Sequence, residues 1–512
     1  MEPLADTPWD VTIAGTGLAQ SLLALALSRS GKKVLHVDQN SYYGGSEAAF
    51  SLQEAQEWAS KVNEEPEHFP FEDARVYLPE GAPQLPTRSY TVTLSPHLIY
   101  SRSQLLPTLV ASRVYRQLEF QAVGSWWIHK PQPGSVGDDG TSSSPVLYRV
   151  PSSREDVFAD DIISVKSKRT LMRFLRHISK PQQNDDSEPE EENLAIPLSE
   201  YLTSKFQVPA ELHNPLLSLS LSQASPEQTS AGYSVPRIKR HLASIGVFGP
   251  GFGSLLAKWG GGSELSQVGC RALAVGGGVY MLNAGVNSIT RLDKSEDGGN
   301  ERVQLHLSND ETIKTEFVVG SNWDLPGQEY PACDKVARSI TVVSSSLESL
   351  FPVTAEGGPI PAGAVVVFPG STLGQPNDMP PVYLLVHSSE TGECPPGQSV
   401  IYGSVSASGA QGQSLIENSV HRLLQLDADP NVKVLWSLRY TQLGLSSSGV
   451  APSKLEPTSS NILCFPPPSL DLAFDDAMID QVRDAWQLIV GDEAHKHEFM
   501  SFEDREGAND ED

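Results

Sequence analysis

Gly15, Gly17 and Asp38 are the residues whose types and spacing could serve cofactor chemistry. Gly15-Thr16-Gly17 follows the apolar run Val11 to Ala14 and precedes a leucine- and alanine-rich stretch from Leu18 to Ser30, which Gly31 closes. A second apolar run, Lys33 to Val37, ends in Asp38, 23 residues after Gly15. In a dinucleotide-binding βαβ unit the first glycine permits a tight turn and the second lets backbone approach a pyrophosphate. The helix N-terminus there supplies partial positive charge, and the acid takes a ribose hydroxyl. Here, however, G-x-G-x-x-G reads G-T-G-L-A-Q, so Gln20 places a long side chain where close packing asks for almost none. The bulky pair Tyr42-Tyr43 follows the second strand, where a flavoprotein needs open space. The pattern predicts the fold and argues against an occupied site. Gly15, Gly17 and Asp38 are therefore read as a vestigial fingerprint with no cofactor, and Asp38 as a strand-end carboxylate capping the next loop, with a ribose ligand as the lesser reading. Gly44-Gly45 and Gly276-Gly277-Gly278 could approach a phosphate, but such glycines more often serve turns with φ > 0.

Other chemistry has little support. No G-x-S-x-G elbow, no H-E-x-x-H and no paired Cys and His are present, so no catalytic residue is assigned. Cys270, Cys333, Cys394 and Cys464 lie far apart without C-x-x-C spacing, and the 12 histidines are scattered. Neither a disulfide framework nor a metal site follows, and reduced thiols of a cytoplasmic protein fit best. The formal charge of −26, from 63 acidic and 37 basic residues, argues against nucleic acid and allows a partner with a basic segment. The first residues lack a signal-peptide pattern and no apolar run approaches a membrane span, so any membrane contact is expected to be peripheral.

The elements that must position these residues can be read along 512 residues, a length that implies two domains. Ser46 to Val62 reads as an amphipathic helix burying Phe50 and Trp58, Pro66 to Pro86 as a proline- and acid-rich loop, and Thr91 to Leu94 as a strand. Leu105, Leu109, Val110, Val114 and Leu118 recur at helical spacing. Ser125 to Val150 reads as a hairpin whose tip is GSVGDDGTSSS, and Val157 to Ile178 as a helix with a basic run Lys166, Lys168, Arg169. Residues 182–193 form a polar tract with six acids, expected to be disordered. Short helices follow at Leu198 to Phe206 and Glu211 to Leu221, then a helix at Arg237 to Val247, a glycine-rich connector from Phe248 to Gly262, and a helix, glycines and strand over Glu264 to Asn283. The rest returns to strands, at Val303 to Leu307, Phe317 to Val319, Ile340 to Val343, Val365 to Phe368, Val382 to Val386, Ser399 to Val405 and Val432 to Tyr440. A helix at Ser414 to Leu426 interrupts them and another, Phe474 to Gly491, ends them.

Five stretches, among them DVTIAGTGLAQSLLALALSRSGKKVLHVDQNSYYGG, GYSVPRIKRHLASIGVFG and GGSELSQVGCRALAVGGGVYMLN, together with FDDAMIDQVRDAWQLIVGDE, carry a resemblance over nearly the whole chain. The chain resembles the family of Rab GDP-dissociation inhibitors and Rab escort proteins, and within it the fungal escort proteins. The resemblance implies an α/β fold: a large FAD/NAD(P)-binding, Rossmann-like and GDI-like domain, residues 1–102 and 226–491, with a Rab-binding platform. An inserted, mostly α-helical small domain, 103–225, would bind prenyl groups and contain the acidic tract 182–193; 492–512 would be an acidic mobile tail.

By the same resemblance Tyr43, Glu264, Arg271 and Met281 form the platform for GDP-bound Rab GTPases. Taken alone, these would be a surface tyrosine, an intrahelical ion pair and a core methionine. The implied function is that of an escort: binding unprenylated Rab, presenting it to the Rab geranylgeranyltransferase heterodimer without catalysis of its own, sheltering the geranylgeranyl groups, and delivering the product to membranes through peripheral contact. Pro151 to Lys166 matches the family's mobile effector loop. ELSQ in place of ELPQ, the long hairpin and the acidic insertion look escort-like. Phe248 to Gly260 departs from the family's usual pattern, which leaves the transferase contact unassigned. The alternatives are a Rab GDP-dissociation inhibitor and, from a different class, a flavin-dependent oxidoreductase.

Overall fold

The structure, a computed structural model, describes residues 4–502 except 82, 131–145, 152–156, 159, 162, 180–193, 293–301, 329–331, 374–378, 447–454, 456 and 460. The hairpin tip, residues 152–156, 159 and 162 of the expected effector loop, the acidic tract and the last ten residues lie outside the described residues. The helices are α1 (Leu18–Arg29), α2 (Leu52–Glu64), α3 (Leu105–Ala111), α4 (Val165–Ser179), α5 (Leu198–Phe206), α6 (His213–Ser220), α7 (Ala231–Ser244), α8 (Gly262–Val275), α9 (Gly409–Leu424) and α10 (Ala477–Val490). The strands to Met281 are β1 (Trp9–Ala14), β2 (Val34–Val37), β3 (Ala49–Phe50), β4 (Phe71–Tyr77), β5 (Val92–Thr93), β6 (Ile99–Tyr100), β7 (Phe120–Lys130), β8 (Val146–Arg149), β9 (Ser254–Ala257) and β10 (Val279–Met281). Those after it are β11 (Val286–Leu292), β12 (Arg302–Leu307), β13 (Thr312–Ser321), β14 (Asp334–Val343), β15 (Gly363–Phe368), β16 (Val382–Ser388), β17 (Ser399–Val405), β18 (Val434–Gly444), β19 (Pro457–Ser459) and β20 (Ile462–Phe465).

The opening unit folds as its pattern predicts. β1 lies between β2 and β13, parallel to both, in a sheet of order β10-β2-β1-β13-β12-β11, with β20 parallel beside β13. Ten of the twelve residues of α1 are buried because α8 and α10 cover it. A helix apolar on all sides needs such cover. The second sheet runs β4-β18-β14-β17-β16-β15-β7-β9-β6, with β8 paired to β7. β15, β16 and β17 are buried along their whole length because both faces are covered. One face carries a core that includes Trp126, Phe174 and Leu216, and the other carries α9 with Leu415 and Ile416. This is the α/β, FAD/NAD(P)-binding-like architecture with helices α4 to α7 gathered over one face.

Several expectations are corrected. α2 begins at Leu52, since Ser51 and Glu54 form a capping box, and the buried Phe50 belongs to β3. Within the expected Pro66–Pro86 loop, Phe71–Tyr77 is an edge strand with Phe71 and Ala74 buried and charges between them, and Asp73 at φ +54 accommodates a bulge against β18. Prolines and charges are how edge strands avoid further pairing, which hid this one. The connector Phe248–Gly262 contains β9, and α7 starts at Ala231 with its N-terminus capped by Ser230 Oγ. β11 and β20 were not anticipated.

Two differences concern larger units. The stretch 103–130, expected in the helical insertion, holds only a short α3, whose Leu105 and Leu109 pack in the core of α1 and α10; β7 then enters the second sheet. The helices that pack on α4, by contrast, include α7, beyond residue 225. The expected mobile tail from 492 starts as packed chain: Met500 is buried, Phe499 meets Trp486 at 5.6 Å, and Phe502 N–H donates to Ala111 O at 3.2 Å. Four hydrophobic residues in the segment 494–502 outweigh its charge.

Candidate functional site

The dinucleotide cleft is built by the turn from β1 into α1. Gly15 takes φ +85 and its N–H donates to Val37 O (2.8 Å). Asp38 closes this turn from the side: its Oδ2 accepts from Thr16 N–H and Thr16 Oγ1 (2.7 and 2.6 Å), and its Oδ1 from Asn40 N–H (2.7 Å). Both carboxylate oxygens are engaged with the protein's own loop, which is the capping role rather than the ribose role. Gln20 folds back over Gly17, where a Cβ would stand 2.7 Å from its Oε1. Its Nε2 donates to Asp324 Oδ2 (3.2 Å), and Asp324 in turn covers Gly15, where a Cβ would stand 2.6 Å from the carboxylate. Glu47, 4% exposed, turns its carboxylate to the Leu18 N–H in the first turn of α1. Burial pushes the carboxyls of Glu47 and Asp324 up to about 7, the nearby Asp38 adding to the effect on Asp324.

A cavity of about 790 Å³ opens alongside, and among the described residues Asp471, Asp475, Asp476 and Asp480 line it with Arg237 and Arg240 as its full cations. Arg237 Nη2 is paired with Asp471 Oδ2 (2.7 Å) and Arg240 with Asp476 (3.5 Å). These residues do not fit a dinucleotide. The two bare glycines that should face a pyrophosphate are covered by an amide and a carboxyl, and the helix N-terminus already faces the Glu47 carboxyl. Gln20 was legible as an obstruction. Asp324 and Glu47 were not, because their roles depend on contacts made 304 residues away and across a 3₁₀ turn.

Of the expected platform residues, Tyr43 follows β2, Glu264 and Arg271 lie on α8, and Met281 ends β10. α8 approaches α1 closely at Gly269, where a Cβ would meet Ser21 Cβ at 3.4 Å, and this fixes which of its sides faces outward. Glu264 is half-buried and Arg271 exposed. Arg271 Nη2 donates to Gln267 Oε1 (3.3 Å), one turn back, and does not pair with Glu264. Tyr42 and Tyr43 part company. Tyr42 packs inward on Phe50 with ring centroids 4.8 Å apart, while Tyr43 lies 6.0 Å from the ring of Tyr280. Burial and a hydrogen bond to Tyr280 raise the Tyr43 phenol, and the nearby Arg271 charge partly opposes this. Tyr280, which sequence reasoning missed, thus joins Tyr43 and Arg271 in one group. Met281 points to the other side of the same edge strand, packing with residues such as Ala284 and Val286. Strand alternation gives Tyr280 and Met281 opposite faces.

A second cavity, about 320 Å³, lies among α4, α6 and α7. Leu171, Met172 and Leu175 of α4, Leu212 to Leu219 on and before α6, and Leu242 and Ile245 at the end of α7 line it, with Val150, Pro151, Val157 and Ile163. Arg176 and Ser179 are its polar lining residues. The amphipathic spacing of α4 announced an apolar side, but that several helices would leave a gap between them was not readable from any one of them.

Among the described residues no group of three or more His, Cys, Asp or Glu could hold a metal ion, and no helix is long and apolar enough to cross a membrane. The fold is similar to that of the solved Rab GDI of Plasmodium falciparum, with a TM-score of 0.64 at 18% identity over 94% of this chain and 98% of that one. It is also similar to an oxidoreductase of Methanosarcina mazei, with a TM-score of 0.56 at 10% identity over 93% and 100%. A curated relative, the Rab proteins geranylgeranyltransferase component A of Candida albicans, is 31% identical over 396 residues, which are 76% of this chain and 58% of that protein. The chain thus spans less than two thirds of that relative's length. The family model for GDP dissociation inhibitor matches residues 5–423, and by that match the chain belongs to the GDP dissociation inhibitor family.

Proposed function

We propose that this chain is a Rab escort protein: it binds GDP-bound, unprenylated Rab, presents it to the geranylgeranyltransferase heterodimer, shelters the new lipid and hands the product to a membrane, working from the cytosol without catalysis of its own. The observation that carries this reading is the cavity among α4, α6 and α7, apolar on nearly all sides. An isoprenoid buried there gains roughly 0.8 kcal/mol per CH₂, enough to compete with a bilayer. The group of Tyr43, Tyr280 and Arg271, with Glu264 on the same helix, supports a protein-docking platform. It offers rigid aromatics and an exposed guanidinium, residue types favoured at interfaces. Met281 would contribute from the other side of that edge. The obstructed cleft supports a binding protein rather than a flavin enzyme.

The name of the Candida relative supports a place beside the transferase. We further propose that the lipid-sheltering unit comprises α4 to α7 and that the platform belongs to the unit built on the first sheet. The test is gel filtration of the chain with unprenylated GDP-bound Rab and the transferase heterodimer. A ternary complex is expected. Binding of prenylated Rab alone would identify a recycling inhibitor, and stoichiometric flavin in the purified protein would overturn both.

A further inference from the structure

In a chain of net charge −26, α4 stands out: VKSKRTLMRFLRHIS carries five Lys and Arg and no acid. Lys166, Arg169, Arg173 and Arg176 are spaced 3, 4 and 3 residues apart, so they form one stripe, and all four are exposed. The stripe lies opposite the side on which Ser167, Leu171, Phe174 and Ile178 are buried. Among the described residues no ion pair engages Lys166, Arg169 or Arg176, whereas Arg237, Arg240 and Arg439 elsewhere each meet a carboxylate. Arg173 donates to the Phe206 carbonyl and, among the described residues, meets no carboxylate. Arg176 also lines the apolar cavity, so the stripe runs along the cavity's margin. At the other end of the stripe Val165 is 67% exposed and Phe158 63%, and Lys168 Nζ donates to Phe158 O (2.9 Å). Unpaired cations, exposed apolar side chains and an apolar cavity thus meet on one side of the helical unit.

We propose that the α4 stripe is a docking surface for the anionic phospholipid headgroups of a membrane, and that it turns the mouth of the apolar cavity toward the bilayer. This rests on the reading that the cavity shelters an isoprenoid. The remaining surface of so acidic a molecule is repelled by an anionic leaflet, so attraction through this one stripe selects the orientation as well as the contact. Each Lys or Arg near such a leaflet adds about fivefold to partitioning, and the effect decays within a Debye length of about 10 Å at 0.1 M salt.

The experiment is co-sedimentation of the full chain with phosphatidylcholine vesicles with and without phosphatidylserine. Binding is expected only with phosphatidylserine, and it should weaken steeply as salt rises. The triple variant Lys166→Glu, Arg169→Glu, Arg176→Glu should lose at least tenfold of that binding. A control with the same charge change on exposed positions of β11, β12 and β13, Arg291→Glu, Arg302→Glu, Lys314→Glu, should lose far less. Conservative Arg169→Lys with Arg176→Lys should retain it. Equal binding to neutral vesicles, or equal losses in both triple variants, would overturn the proposal. A parallel titration with a fluorescent geranylgeranylated peptide in the absence of vesicles separates the two readings. If phosphatidylserine binding through the stripe persists while the peptide does not bind, the sheltering reading fails and the docking surface stands.

Discussion

At the scale of single residues, the cleft is governed by carboxyls that the protein keeps for itself. Glu47 has its carboxyl raised from 4.5 to about 7 by burial, so between those values the folded chain retains a proton that the unfolded chain has released. Its contribution to stability is therefore lost as pH rises through that window. Glu47→Gln cannot ionise, so its stability relative to the parent chain should climb with pH by on the order of 3 kcal/mol between pH 4.5 and pH 7, read by denaturant unfolding across that range. A flat difference would show that the carboxyl is not held protonated. Gln20→Ala alone should not create flavin affinity in an equilibrium dialysis, because Asp324 still covers Gly15 and Glu47 still faces the N-terminus of α1. On the proposed platform, Arg271→Ala should weaken Rab·GDP binding by about tenfold, roughly 1.4 kcal/mol, with unfolding unchanged, since the side chain is exposed and its hydrogen bond goes to the nearby Gln267. Unaltered affinity in a titration would remove Arg271 from the platform.

Among elements, the decisive feature is how helices leave space. Leu175 is only partly buried against the core and lines the 320 Å³ cavity, so Leu175→Trp should fill it without forcing a rearrangement of α4. Binding of a geranylgeranylated peptide should fall by at least tenfold while Rab·GDP affinity holds, a pattern that a general unfolding would not give. The elements themselves were largely legible. α5 has its anticipated bounds, and β1, α1 and β2 follow from one glycine turn between two apolar runs. What escaped was set by neighbours: β4 is a strand because β18 offers it an edge, and β9 because β6 and β7 flank it. Neither carries enough β-branched residues to declare itself. The same division holds at the site. Gln20 could be seen to break a pattern, and Tyr43 and Arg271 came from motif likeness. Tyr280, Asp324 and the cavity exist only once distant segments meet.

For the whole molecule, the segment 494–502 belongs to the core. Removing everything after Gly491 would expose the Trp486 face and delete the buried Met500, together with the contact of Arg29 over Phe502 at 5.4 Å. A loss of about 3 kcal/mol is expected in denaturant melts, the scale of fully burying one or two large apolar side chains. An unchanged midpoint would mean that these contacts contribute nothing in solution. The arrangement of the first sheet has a further consequence, for biogenesis. β1 is flanked by a strand near residue 320, and α1 is packed by a helix ending at residue 490, so the opening βαβ segment has no complete set of neighbours until residue 490 has been made. At about 5–20 residues per second, the leucine-rich α1 waits roughly 20 to 100 s on the ribosome before its cover arrives. Nascent chains stalled before residue 312 should accordingly be digested by protease at α1, and those released at full length should not. This acidic chain thus begins life with greasy surface exposed, and its synthesis should depend on holdase chaperones more than its final stability would suggest.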